Sequence, residues 1–138
     1  MRMKKLILTL VLVAALCVPV YAGGYNYVSA EQVKDWMSSG TPVSIVDIQV
    51  KEEFDAHHLK GAIATYSYPV KSDTDRAKLD ETVAALKEKN TRIVVVCPRG
   101  KGGAKRCYDY MASQGIAQDR LLILEKGMAG WPHKELVE

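Results

Sequence analysis

The stretch Arg92-Ile93-Val94-Val95-Val96-Cys97-Pro98-Arg99-Gly100-Lys101-Gly102-Gly103-Ala104 decides how this chain folds. Four consecutive β-branched residues, Ile93 to Val96, with no polar alternation describe a strand covered on both faces, the pattern of a central strand in a parallel sheet. Pro98 ends the run because it has no N–H to give to a ladder. Glycines follow at 100, 102 and 103, and then Ala104, Cys107, Tyr108 and Met111 form one apolar helical stripe. Strand, tight turn and helix start therefore meet at Cys97.

On the N-terminal side, Ser29 with Glu31 and Gln32 gives a capped helix start, Val33, Trp36 and Met37 give it an apolar face, and Gly40 ends it. Val43 to Asp47 reads as a short strand, Lys51 to His57 as a short helix carrying Phe54, and Ala62 to Tyr68 as an extended piece after the turn at Gly61. Asp73 to Lys89 has an acidic start, Leu79, Val83 and Leu86 in helical phase, and a basic end, which together predict one amphipathic helix. On the C-terminal side, Leu121 to Leu124 is a further buried strand, and Gly127 to Pro132 closes the domain. Strands alternating with helices predict an α/β fold, a central parallel sheet flanked by helices in three layers with right-handed crossovers.

The first 22 residues read differently. Arg2, Lys4 and Lys5 precede an apolar run from Leu6 to Val18, and Val20-Tyr21-Ala22 is a small-residue cleavage site, so 1–22 is expected to be a secretory signal cut after Ala22. The run is short for a bilayer span. Leu16 before Cys17 is unlike the small residue that lipidation of that cysteine requires. The working domain is then 23–138, placed in the periplasm or outside the cell. The chain has 19 Lys and Arg against 16 Asp and Glu, and loss of the three basic signal residues leaves the domain formally neutral. That balance gives no reason to expect a nucleic-acid partner, nor a membrane partner after cleavage, and a monomer is the expected state.

Two cysteines remain in the domain, Cys97 and Cys107. Either they form one bridge or at least one is kept free for chemistry. Cys97 stands at the carboxyl end of a central strand, where open α/β sheets place their ligand sites. The glycines after it let successive amide protons converge on one concavity, and the helix N-terminus adds its positive end, so an anion is favoured there. Arg99, Lys101, Lys105 and Arg106 crowd the same helix end, where cations are unfavourable unless something negative offsets them. Cys107 shares the stripe of Ala104, Tyr108 and Met111, and its phase predicts packing against the sheet rather than a resolving role. His57 and His58 are adjacent, so on a helix they diverge by about 100°, and no third ligand completes a metal site.

The loop Cys97-Pro98-Arg99-Gly100-Lys101-Gly102-Gly103-Ala104 after a hydrophobic strand resembles the active-site loop of the rhodanese family. Val46-Asp47-Ile48 ahead of Glu52-Glu53-Phe54 resembles that family's first acidic motif, and His58-Leu59-Lys60-Gly61-Ala62 resembles its H-[IL]-x-G-A motif. Gly127-Met128-Ala129-Gly130-Trp131 is similar to its closing G-x-x-x-W. Order and spacing agree from about Tyr27 to Glu138. The resemblance implies a ping-pong sulfurtransferase: Cys97 takes a sulfane sulfur from a small sulfur-containing anion such as thiosulfate or polysulfide, then passes it from a persulfide to a thiol, cyanide or protein acceptor. By the same carry-over, Pro98, Arg99, Gly100, Lys101, Gly102 and Gly103 hold the terminal sulfur, Arg99 and Lys101 steer the donor, and neither a cofactor nor a metal is required. Gln49 stands where many members have Arg, and Gly102-Gly103 where many have Arg-Ser, which leaves the far side of the loop less cationic.

The same residues bear on other readings. A cysteine phosphatase or arsenate reductase needs C-x5-R, but Gly103 stands in the arginine's place. A rhodanese-like sulfur carrier or protein-docking module without turnover would share every motif named above, and only activity separates it from an enzyme.

Overall fold

A computed structural model describes residues 24–138; the expected signal segment 1–22, with Cys17, lies outside the described residues. Five parallel strands form one sheet: β1 (Tyr27–Val28), β2 (Val43–Asp47), β3 (Ile63–Ala64), β4 (Arg92–Val96) and β5 (Leu121–Leu124), in the order β1-β5-β4-β2-β3. The helices are α1 (Ala30–Ser39), α2 (Lys51–Ala56), α3 (Asp73–Ala77), α4 (Asp80–Lys87) and α5 (Gly102–Ser113). β4 lies at the centre, as its unbroken apolar run predicts, paired with β2 from Val43↔Arg92 to Asp47↔Val96 and with β5 from Ile93↔Leu121 to Val95↔Ile123.

The two-residue period of β4 divides the core. Ile93, Val95 and Cys97 face the layer that contains Leu79, Val83, Leu86, Cys107 and Met111, while Val94 and Val96 face the layer with Val33, Leu59, Met128 and Trp131. Strand register thus delivers Cys97 to the α5 side of the sheet. α1 is capped as expected: Gln32 N–H donates to Ser29 Oγ at 3.1 Å, and Gly40 adopts the left-handed φ of 72° with its N–H on the Trp36 carbonyl.

Two expectations need correction. The single helix expected over Asp73 to Lys89 is two, because Lys78 N–H and Leu79 N–H bond the carbonyls of Asp75 and Arg76, three residues back, which tightens the last turn of α3. Leu79 is fully buried, and Asp80 and Glu81 supply a second acidic start for α4. The extended piece expected over Ala62 to Tyr68 is a strand only at Ile63–Ala64; Tyr66 and Val70 then turn through positive φ (55° and 58°). β1, too short to carry a pattern, is held by its pairing with β5 and by Val28, which is buried in the core.

Candidate active site

Cys97 is 2% exposed, and its Sγ accepts the Gly100 N–H at 2.9 Å. That bond closes the turn back onto the sulfur. Gly100 has φ 69°, and a Cβ there would stand 2.7 Å from the Leu124 carbonyl oxygen and 2.9 Å from the Lys126 nitrogen. Behind the loop, the turn after β5 acts as a clamp: Met128 N–H donates to the Cys97 carbonyl and Ala129 N–H to the Pro98 carbonyl, both at 2.9 Å. α5 begins at Gly102 with no side-chain cap on its first amides, so its positive end is turned toward the loop with no side-chain oxygen occupying it.

The sulfur lies in a cavity of about 380 Å³ lined by Glu53, Tyr68, Pro98, Arg99, Lys101, Gly102 and Gly103. Of the loop residues singled out from the sequence, Pro98, Arg99, Lys101, Gly102 and Gly103 line this space, and Gly100 contributes its N–H. Lys105 and Arg106 do not join them. Arg106 Nε donates to the Pro69 carbonyl at 2.9 Å, and Lys105 Nζ lies 5.6 Å from the centroid of the Tyr25 ring. Arg99 and Lys101 are therefore the cations that line the sulfur's cavity, and the Arg106 guanidinium stands just behind its wall, where a Cβ on Gly102 would come within 2.9 Å of a terminal nitrogen.

Tyr68 and Glu53 complete the rim, although neither is among the site residues expected from the sequence, where Glu53 figures only in the acidic motif. Tyr68 is 40% exposed, and its ring packs so closely that a Cβ on Gly103 would come within 2.8 Å of it. The only signal for this wall was the Tyr-Pro step at 68–69 after Gly61. Its backbone is fixed by Tyr68 N–H on the Ile48 carbonyl at 2.8 Å and by Thr65 N–H and Oγ1 on the Asp47 carbonyl. Buried Thr65 and Ser67 share a hydroxyl hydrogen bond of 2.8 Å beneath it.

Cys107 is fully buried, and both cysteines are free thiols. Burial, and secondarily the neighbouring Cys97, pushes the Cys107 thiol far above its ordinary range, which favours its protonated form. His58 is also structural in its contacts: its ring stacks on Phe54 with centroids 3.9 Å apart, and Nδ1 meets the Phe54 carbonyl oxygen at 2.7 Å.

Asp47 accepts the Gln49 backbone N–H at 2.8 Å and the Gln49 Nε2–H at 2.9 Å; Nε2 also donates to the His57 carbonyl at 3.1 Å. Gln49 thereby ties the end of β2 to the end of α2. Burial raises the Asp47 carboxyl above its ordinary value of 3.8, with the Gln49 hydrogen bonds opposing the rise. The folded state then holds this proton more tightly than the unfolded chain. Asp47's contribution to stability accordingly declines as pH rises from the ordinary carboxylate pKa to the raised folded one, and is level above that. Urea denaturation of wild type and Asp47→Asn across this range should show the variant lacking that decline; parallel curves would contradict the assignment.

Residues 29–134 match the rhodanese-like domain, and the chain belongs to that family. No curated protein matches the sequence. Among solved structures, the chain is similar to the rhodanese-like domain of an Anabaena sp. protein, at TM-score 0.62 and 20% identity over 83% of this chain and 80% of that one. It is also similar to the As-Sb reductase of Leishmania major, at 0.59 and 18% over 83% and 85%. A third likeness is to the thiosulfate sulfurtransferase of Pseudomonas aeruginosa, at 0.58 and 16% over 83% of this chain but 19% of that one. These likenesses establish the fold, which carries more than one chemistry.

Proposed function

We propose that the protein is a sulfurtransferase that carries sulfur as a persulfide on Cys97. The observation that carries this reading is the setting of Cys97: its Sγ accepts an amide hydrogen from Gly100, near the uncapped start of α5, and the residue lines a cavity that Arg99 and Lys101 also line. In the first half-reaction the thiolate attacks the outer sulfur of thiosulfate, the S–S bond breaks, and sulfite leaves with the electron pair. Arg99 and Lys101 attract the dianion, and the loop amides receive the negative charge that now sits on the terminal sulfur. In the second, a nucleophile such as cyanide or a thiolate takes that sulfur, and the pair returns to Cys97.

Arsenate or phosphoryl chemistry is disfavoured by the same cavity. Gly103 stands where that chemistry needs an arginine, a Cβ there would displace the Tyr68 ring, and Arg106 is tied to the Pro69 carbonyl through Nε. We further propose, from the sequence reading of residues 1–22 as an export signal, that the reaction runs in the periplasm or outside the cell, with a small-molecule donor and a monomeric catalyst. A thiocyanate-forming assay with thiosulfate and with polysulfide tests turnover. Sustained formation with either donor is expected. One equivalent of sulfur accepted without turnover would make the protein a carrier.

A further inference from the structure

A second cavity of about 410 Å³ adjoins the Cys97 cavity, and Glu53 and Pro98 line both. Its remaining walls are Gln49, Ala56, His57, Met128, Ala129 and Trp131. The two spaces differ in charge. Arg99 and Lys101 line only the first, whereas in the second Glu53, shared by both, is the one charged side chain beside Met128, Ala129 and Trp131, with His57 as the other titratable group. Glu53 takes part in none of the ion pairs among the described residues. Gln49, its polar neighbour, directs Nε2 to Asp47 and to the His57 carbonyl instead. An exposed carboxylate thus stands at the seam between an anion-binding space and an apolar one.

We propose that Glu53 is a specificity-determining residue that binds the ammonium group of an aminothiol acceptor in the second cavity. This rests on the sulfur-transfer reading and names the acceptor class for that same site. A short molecule with a thiol at one end and an ammonium at the other matches the charge distribution: its nitrogen meets Glu53, and its sulfur reaches the cationic space where the persulfide stands. The acceptor thiolate attacks the outer sulfur of the Cys97 persulfide, forming a new S–S bond. The bond to Sγ breaks, its electron pair remains on Cys97 as thiolate, and any hydrogen on the outer sulfur leaves with the aminothiol persulfide. A thiol with an anionic tail would have to lay that tail in the second cavity, against the like charge of Glu53.

The test loads the protein with sulfur from polysulfide, removes the donor, and follows loss of one sulfur mass from Cys97 with cysteamine, 2-mercaptoethanol or 3-mercaptopropionate, each corrected for its thiolate fraction. Wild type should prefer cysteamine over 3-mercaptopropionate by about tenfold at low ionic strength, and added salt should shrink the ratio. Glu53→Gln should bring the ratio within about twofold, and Glu53→Asp should retain most of it. A purely structural role for Glu53 would slow all three acceptors together. A ratio that survives in Glu53→Gln, or is absent from wild type, overturns the inference while leaving the persulfide chemistry standing. Failure of Cys97 to load at all overturns the sulfurtransferase reading and this inference with it.

Discussion

Replacing Cys97 with Ser should lower sulfur transfer by on the order of a thousandfold or more and abolish sulfur uptake, because a hydroxyl in that cradle cannot form a persulfide. The fold should survive. Ser is nearly the size of Cys, and the Gly100 N–H that meets Sγ at 2.9 Å can donate equally well to Oγ. Cys107→Ala should behave in the opposite way. Its thiol is sealed under α5 among Val95, Ala104 and Met111, so removing it leaves a small void that costs about 1 kcal/mol or somewhat more. Sulfur uptake and thiocyanate formation should persist at near wild-type levels. A double comparison by activity and urea denaturation separates the two cysteines: one loses chemistry and keeps stability, the other loses stability and keeps chemistry. Loss of transfer in Cys107→Ala with an intact fold would show that the second thiol takes part.

Gly127→Ala should be the most damaging single substitution to the scaffold of the site, at about 3–5 kcal/mol of stability. Gly127 has φ 58° and ψ −157°, a backbone conformation essentially confined to glycine. A Cβ there would stand 2.1 Å from the Cys97 carbonyl oxygen and 2.7 Å from the nitrogens of both Arg99 and Gly100. All three contacts are backbone, so no rotamer change relieves them. The clamp from Met128 N–H to the Cys97 carbonyl would have to open, and Gly100 N–H would move away from Sγ. Thermal denaturation should register the loss, and whatever protein remains folded should take up sulfur poorly. A variant within about 0.5 kcal/mol of wild type, the usual scatter of surface substitutions, would contradict this account of the clamp.

These contacts mark where the sequence was informative. The run Ile93 to Val96 announced a central strand because burial on both faces leaves no room for alternation, and its end fixed Cys97 at the sheet's carboxyl edge. The α5 stripe was equally legible, since Ala104, Cys107, Tyr108 and Met111 repeat at helical spacing and are all buried. The wall opposite the loop was not. Tyr68 owes its place to two positive-φ residues, Tyr66 and Val70, and to polar bonds from Thr65 back to the end of β2, and neither leaves a periodic trace. Charge counting near the loop overstated the cationic field for a related reason. Spacing places Lys105 and Arg106 near the helix start, but side-chain direction sends Lys105 to Tyr25 and holds Arg106 between Pro69 and Gly102, outside the cavity lining. The break between α3 and α4 was hidden as well, because Lys78 and Leu79 keep helical dihedrals while their hydrogen bonds shorten by one residue.

One atom, the sulfur of Cys97, is asked to accept another and hold it as an anion against main-chain N–H groups. Peptide mass spectrometry after exposure to polysulfide and to thiosulfate, with free thiols blocked before digestion, reads that state directly. The account predicts one added sulfur atom on the peptide containing Cys97 and none on the peptide containing Cys107, removed on addition of cyanide. An unaltered Cys97 after both donors, or added sulfur found only at Cys107, would contradict it.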